Sequence, residues 1–313
     1  MNYLVTIIGP TAIGKTSLSI ALAQHYGCSI VSCDSRQFYK EMRIGTAVPT
    51  AVELAGAPHY FIQNKSVHDT YSVGDFEQEA LTLLDRLFAE NNIQIMVGGS
   101  GLYVDAVLKG FDDFPEIDES IRIQLNTDFE TLGITYLQDK LKELDAVYYQ
   151  RLAVENPQTL QNPQRMKRFV EVCLGSGQPY SSFLGLKANS RPFTSIVIAL
   201  EADREIMYHR INRRVDLMMA EGLLAEAQAL YPLRHLNALQ TVGYRELFDY
   251  LDGTTALETA VAAIKTNTRR FAKRQLTWFK RTEHAHWFDY QTDLPLITTT
   301  INRLVSPPDN IIT

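Results

Sequence analysis

The sequence predicts an α/β fold, a P-loop parallel-sheet core with helices on both faces and an inserted helical subdomain. Three observations carry this. Short β-branched apolar runs alternate with helical patterns over the first hundred or so residues. The glycine-rich string GPTAIGKT, Gly9 to Thr16, falls between one such run and a helix, and the alternation stops near Pro115 and resumes only after Arg191.

Taken in order, YLVTII reads as the first strand, followed by a helix from about Lys15 to Tyr26 and a second strand, SIVSC, that ends at Asp34. A helix from near Val73 to Glu90 leads into the strand IQIMV, which ends at Gly98. FTSIVIALE, Phe193 to Glu201, is a further buried strand, with a helix beginning near Asp203. The stretch between shows no convincing strand. Leu137, Leu141, Leu144 and Tyr148 lie at helical spacing, and Asn162 with Pro163 forms an N-cap followed by a first-turn proline. That helix should carry Met166, Phe169, Val170 and Cys173 inward, end near Gly175, and leave Arg165 and Lys167 or Arg168 outside. The expected division is therefore 1–115 as the first part of the core, 116–191 as a helical insertion with its own packed stripes, and 192–313 completing the core. In the last third Leu257, Val261, Ile264, Phe271 and Trp278 fit one apolar stripe, and the terminal SPPDNIIT is proline-marked and peripheral.

Composition narrows the classes. No apolar stretch approaches the roughly 20 residues of a membrane span, and the start MNYLVTII lacks the pattern of a secretory signal, so the cytoplasm is the expected compartment. The three cysteines, Cys28, Cys33 and Cys173, have no CxxC spacing and read as buried thiols. The seven histidines show no ligand spacing, which argues against a dedicated metal cage. A formal net charge of −6 would argue against a nucleic-acid partner. Yet Arg210, Arg213 and Arg214 cluster, and from Lys265 to Arg281 there are seven basic residues and no acidic one. A local patch of this kind is what a polyanion responds to.

GPTAIGKT fits GxxxxGK[ST]. A strand, a glycine-rich turn and a helix N-terminus gather backbone N–H groups around an anion, here offered by the residues Gly9, Pro10, Thr11, Ala12, Ile13 and Gly14, while Lys15 supplies a point charge. Thr16 would place a hydroxyl on Mg²⁺, the one cofactor expected. Asp34, at the carboxyl end of a strand, is either a second metal ligand, an acid/base group or a simple helix cap. Ser100, after two glycines, is either a phosphate contact or an ordinary N-cap.

Together GPTAIGKT, CDSRQFYKEMRIGTAVP, VGGSGLY, QRMKR, NRRVDLMMAEGLLAEA and TVGYRELFDYL resemble the tRNA dimethylallyltransferase (tRNA isopentenyltransferase) family, in the family's order from Gly9 to about Trp287. The resemblance implies transfer of a dimethylallyl group from dimethylallyl diphosphate to the exocyclic amine of the adenosine 3′-adjacent to the tRNA anticodon. The loop would then hold a diphosphate leaving group rather than a nucleotide under hydrolysis. By the same resemblance Asp34 is the general base, Lys15 and Arg214 meet the diphosphate, and Ser100 stands where the family's GGTxLY has threonine. Which of Arg210, Arg213 and Arg214 points inward stays open at this level. The family's tRNA contacts map onto Asp34, Ser35, Arg36 and Gln37, onto Ser100 and Arg122, onto Gln164, Arg165, Met166, Lys167 and Arg168, and onto Gln240, Thr241, Val242, Gly243, Tyr244 and Arg245.

Modifying a loop adenosine requires the base to be unstacked and held in a pocket. Phe38, Tyr39, Tyr103 and Tyr244 are candidates either for lining it or for the core. The expected partners are the tRNA anticodon stem-loop and dimethylallyl diphosphate, with no membrane and a monomeric chain. Three rivals remain at this stage: a small-molecule P-loop kinase, a prenyltransferase acting on free adenine nucleotide, and a non-catalytic tRNA-binding module.

Overall fold

Every side chain of β1 (Tyr3–Ile8) is buried, because this strand lies inside a sheet covered on both faces. Tyr3, Val5 and Ile7 enter one apolar cluster, Leu4 and Ile8 the opposite one. The computed structural model describes residues 1–185 and 190–305; the SPPDNIIT segment lies outside them. After β1 come α1 (Lys15–Tyr26), β2 (Ile30–Ser32), α2 (Ala51–Ala55), β3 (His59–Tyr60), α3 (Val73–Glu90), β4 (Ile93–Val97) and α4 (Gly101–Lys109). The insertion holds α5 (Glu119–Leu144), α6 (Ala146–Glu155) and α7 (Pro163–Ser176). The core then resumes with β5 (Thr194–Glu201), α8 (Arg204–Ala220), α9 (Leu223–Leu230), α10 (Tyr244–Leu251), α11 (Leu257–Phe279), β6 (His286–Asp289) and α12 (Leu294–Val305).

Among the described residues the sheet has six strands in the order β3-β2-β4-β1-β5-β6, all paired in parallel. Register decides where the site forms. Ile7 pairs with Val97, and Val97 with Ser32, so β1, β4 and β2 finish level and release their three following loops side by side. Those loops carry Gly9–Thr16, Gly98–Ser100 and Asp34. Gly98 is required by the crowding at this edge: a Cβ there would stand 2.5 Å from Cys33 Sγ and 2.7 Å from the Cys33 carbonyl carbon.

Helix α3 shows how local sequence sets an element. Ser72 caps it reciprocally with Asp75, and Phe76, Ala80, Leu84, Leu87 and Phe88 form the stripe it buries against the sheet. A further cluster, built from Val215, Leu223, Ala227, Tyr244, Leu247 and Ile264, holds α8 to α11 together.

Phe111–Ser190 forms one compact unit, and Met1–Gly110 with the chain from Arg191 onward the other, where the sequence suggested limits of 116 and 191. Inside the smaller unit Leu137, Leu141, Tyr148, Met166, Phe169, Val170 and Cys173 share one apolar core. Asn162 caps α7 by accepting from the N–H groups of Gln164 and Arg165. The helix ends near Gly175, as expected. It runs to Ser176 and stops at Gly177 in the left-handed region, while Gly175 is a packing position whose missing side chain makes room for Ile117. The apolar stripe of α11 is displaced from expectation: Ala260, Ile264, Ala272, Gln275 and Phe279 are buried, and Phe271 is 37% exposed. Among the described residues no helix is long and apolar enough to cross a membrane, and all three cysteines are buried and free.

Candidate active site

The phosphate loop keeps the backbone that its glycines permit. Gly9 has φ +146° and Gly14 φ +113°, and Ala12 also sits at positive φ, so the turn opens toward the N-terminus of α1. Lys15 folds its ammonium back over the turn, donating to the carbonyls of Gly9 (3.0 Å) and Pro10 (2.8 Å). Burial pulls its pKa down to about 8, with Arg214 adding to the depression and Asp34 opposing it. Burial pulls the pKa of the Arg214 guanidinium down, and its Nη1 donates to Thr11 Oγ1 at 3.4 Å. Arg210 donates to the Ala12 carbonyl (2.7 Å) and lies over the Tyr290 ring; Arg213 lines the same cavity.

Asp34 turns just beyond β2, its Oδ1 accepting from the Arg36 N–H at 3.2 Å. Ser100 occupies the N-cap position of α4 and makes no capping bond with its side chain. Its Oγ instead accepts from the Ser35 N–H (3.1 Å) and shares a hydrogen bond with Ser35 Oγ (3.0 Å). The hydroxyl thus ties the turn after β4 to the turn that carries Asp34.

Two cavities open on this edge. The larger, about 1020 Å³, is lined by Thr11 to Ser17, Asp34, Arg210, Arg213 and Arg214. The smaller, about 480 Å³, is lined by Ser35, Arg36, Ser100 to Tyr103, Thr241 to Gly243, Arg274 and Trp278. They share the walls Thr11, Asp34, Thr46, Arg214, Met218, Phe271 and Gln275. Thus one end is built for a polyanion, the other is aromatic and mixed, and Asp34 and Arg214 stand where they meet.

The family profile described as IPP transferase matches residues 37–282. The chain belongs to the IPP transferase family. It is 67% identical over 293 residues to the tRNA dimethylallyltransferase of Flavobacterium johnsoniae, covering 94% of this chain and 95% of that one. Identity is likewise 67% over 302 residues to the Flavobacterium psychrophilum protein of the same name, with 96% and 98% covered. The crystal structure of the tRNA isopentenylpyrophosphate transferase of Bacillus halodurans, 36% identical, superposes with a TM-score of 0.71 over 97% of this chain and 96% of that one.

Within this IPP transferase fold the residues singled out from sequence are placed unequally. Ser35, Arg36 and Ser100, with Thr241, Val242 and Gly243, line the smaller cavity, and Gln37 donates to the carbonyls of Thr46 and Ala47 beside it. Gln240 and Arg245 are exposed. In the other unit Gln164 and Arg165 are exposed, and Lys167 donates to Asn126 Oδ1 at 2.7 Å. Arg122 and Arg168 both pair with the buried Glu171, at 2.8 and 3.5 Å.

Two members of the expected tRNA set are corrected. Met166 is fully buried in the insertion core and Tyr244 in the helical cluster, where its hydroxyl donates to Glu226 Oε1 at 2.7 Å, so neither side chain is available to a macromolecule. Of the aromatic candidates Phe38 and Tyr39 are likewise core, and Tyr103 alone lines the smaller cavity.

Sequence reasoning passed over Gln275, Trp278 and Glu226. Trp278 faces the smaller cavity, with its Nε1 donating to Asp105 Oδ2 at 2.8 Å. Glu226 accepts from the backbone N–H groups of Arg43, Ile44 and Gly45 at 3.0, 2.8 and 2.9 Å, fixing a loop that borders both cavities. For Gln275 the signal in the sequence was a polar residue at a buried helical phase, visible only once the phase of the helix is known.

Proposed function

We propose that this protein transfers a dimethylallyl group from dimethylallyl diphosphate to the exocyclic amine of the adenosine 3′-adjacent to the anticodon of tRNA, releasing diphosphate. The observation that carries the reading is the position of Asp34: it borders both the phosphate-loop cavity and the cavity lined by Ser35, Ser100, Tyr103 and Trp278. A carboxylate there stands between a leaving diphosphate and an incoming base. Family membership and the named activity of the relatives set the kinase and the non-catalytic readings aside, and their acceptor, tRNA, is favoured over a free nucleotide.

The chemistry follows from charge. As the bond between the allylic carbon and the bridging oxygen breaks, its electron pair leaves with the diphosphate, and negative charge grows on the phosphate oxygens. Lys15, Arg214 and the amides of the Gly9–Thr16 turn are already arranged to meet that charge, so they stabilise it as it develops. The adenine nitrogen forms the new bond to carbon, and Asp34 takes its proton, since the lone pair of this amine is otherwise delocalised into the ring.

The residues fit Mg²⁺. Thr16 and Asp34 line one cavity and offer hard oxygen donors beside the phosphate loop, the ligand type Mg²⁺ takes together with substrate phosphates and water. When bound by the Thr16 hydroxyl it would neutralise further charge on the departing diphosphate. A monomer acting in the cytoplasm goes with this reading, since the acceptor it invokes is tRNA.

Incubation with dimethylallyl diphosphate and unmodified tRNA, followed by nucleoside mass analysis, tests the reaction. The product expected is a single prenylated adenosine, absent when the base 3′ of the anticodon is guanosine. Asp34→Ala should still bind tRNA while prenyl transfer falls by roughly two to four orders of magnitude. Near-normal turnover would remove Asp34 from the role of base.

A further inference from the structure

Gln275 is a polar side chain in the buried stripe of α11, only 6% exposed, and it touches two loops that come from different strands. Its Nε2 donates to the Gly99 carbonyl at 2.8 Å, and its Oε1 accepts from the Thr11 N–H at 2.9 Å. Gly99 has no room for a side chain because a Cβ would collide with that Nε2. Thr11 belongs to the phosphate loop and receives Arg214 on its hydroxyl. Gly99 precedes Ser100, which holds Ser35 and so the turn of Asp34. One carboxamide therefore spans the gap between the leaving-group cradle and the turn that presents the base.

The choice of residue follows from the geometry. Thr11 offers a donor and Gly99 an acceptor, and a neutral carboxamide answers both at once from one planar fork. A hydrocarbon would leave two buried backbone groups unpaired, and a carboxylate would face the Gly99 carbonyl with like charge. The fork is mounted on a helix of 23 residues, a stiffer support than either loop.

We propose that Gln275 is a positioning residue that sets the spacing between the diphosphate and the base by holding Thr11 and Gly99 together. This rests on reading Gly9–Thr16 as the diphosphate cradle and Asp34 as the base. Misplacement of reacting groups by about an ångström costs on the order of a hundredfold in rate without weakening ground-state binding in proportion.

The test compares the full-length protein with Gln275→Leu and Gln275→Glu in steady-state prenyl transfer to tRNA, with thermal unfolding alongside. Gln275→Leu should lower kcat roughly 10- to 100-fold while KM for dimethylallyl diphosphate moves less than about threefold. Gln275→Glu should be defective at high pH and recover relative to the parent as pH falls, because the protonated acid regains a donor for the Gly99 carbonyl. Thermal unfolding of Gln275→Glu followed at each pH separates the roles: a structural role alone would move kcat only in step with the loss of folded protein, and this comparison decides the matter if the leucine variant does not fold. Parent-like kcat in both variants, a loss carried wholly by KM, or a flat ratio across pH would each overturn the proposal. Lys15→Ala separates the underlying reading: unchanged donor binding in that variant takes both readings down, whereas lost donor binding beside parent-like Gln275 variants removes this proposal alone.

Discussion

With Gly9–Thr16 as the proposed diphosphate cradle, Lys15 should make donor binding depend on pH in a direction that can be worked out. Burial, the largest cause, lowers its pKa to about 8 in the free protein. A diphosphate ester bound in the loop needs the ammonium charged, so binding restores the proton. With a pKa of about 8, roughly half of the lysines are neutral at pH 8 and about nine in ten at pH 9. Dimethylallyl diphosphate should therefore bind about tenfold more weakly at pH 9 than at pH 7, and should take up about half a proton at pH 8 and about 0.9 at pH 9. The ligand does not confuse the count, because the terminal phosphate of such an ester has lost its last proton at about pH 6. Titration calorimetry without tRNA, in two buffers of different ionisation enthalpy, reads the uptake directly. Lys15→Met should abolish both the pH slope and the proton exchange. Affinity that stays level from pH 7 to pH 9.5 with no buffer dependence would refute the argument. For the unliganded protein the sign is opposite: the folded pKa lies below the ordinary 10.5, so stability rises with pH between about 8 and 10.5.

Two further outcomes are expected. Glu226→Gln would keep one acceptor oxygen and turn an NH₂ group either toward the Arg43 and Ile44 N–H groups or toward the Gly45 N–H and the Tyr244 hydroxyl, and should lose about 2–4 kcal/mol in urea unfolding, with Tyr244→Phe losing less, about 1–2 kcal/mol. Arg165→Ala should reduce the slope of log Kd for tRNA against log salt by about one, and Arg168→Ala by less, since Glu171 already offsets part of that charge; filter binding from 50 to 300 mM salt, about the range over which phosphate contacts are felt, distinguishes them.

The parts of the fold legible in the sequence are those set by neighbours along the chain. The strand, turn and helix around Gly9–Thr16 follow from glycine placement and a continuous apolar run, and α7 follows from Asn162 and Pro163. β3 and β6 were not legible: they are edge strands of two and four residues with partly exposed side chains, too short to show a period. The phase of α11 was misread at Phe271 because Ala272, one position on, carries too little apolar weight to mark the buried face. Motif membership located the segments holding Met166 and Tyr244 without telling which way either side chain points; for Met166 the helical spacing of α7 did tell, and it points inward as that spacing requires. Gln275 and Glu226 escaped for a different reason. The loops they hold lie 176 and 264 positions away from Gln275 and 181 to 183 from Glu226, so the chain around each gives no sign of its partners.

β1, the strand that leads into the Gly9–Thr16 loop, is completed on one side by β4 and on the other by β5, which begins at Thr194. β1 thus waits for a strand made much later in synthesis, and the brace on Thr11 comes later still. Such far-separated pairings fold slowly and leave apolar edges open meanwhile. Truncated or stalled chains should therefore be inert toward substrate and be the first to reach the chaperones.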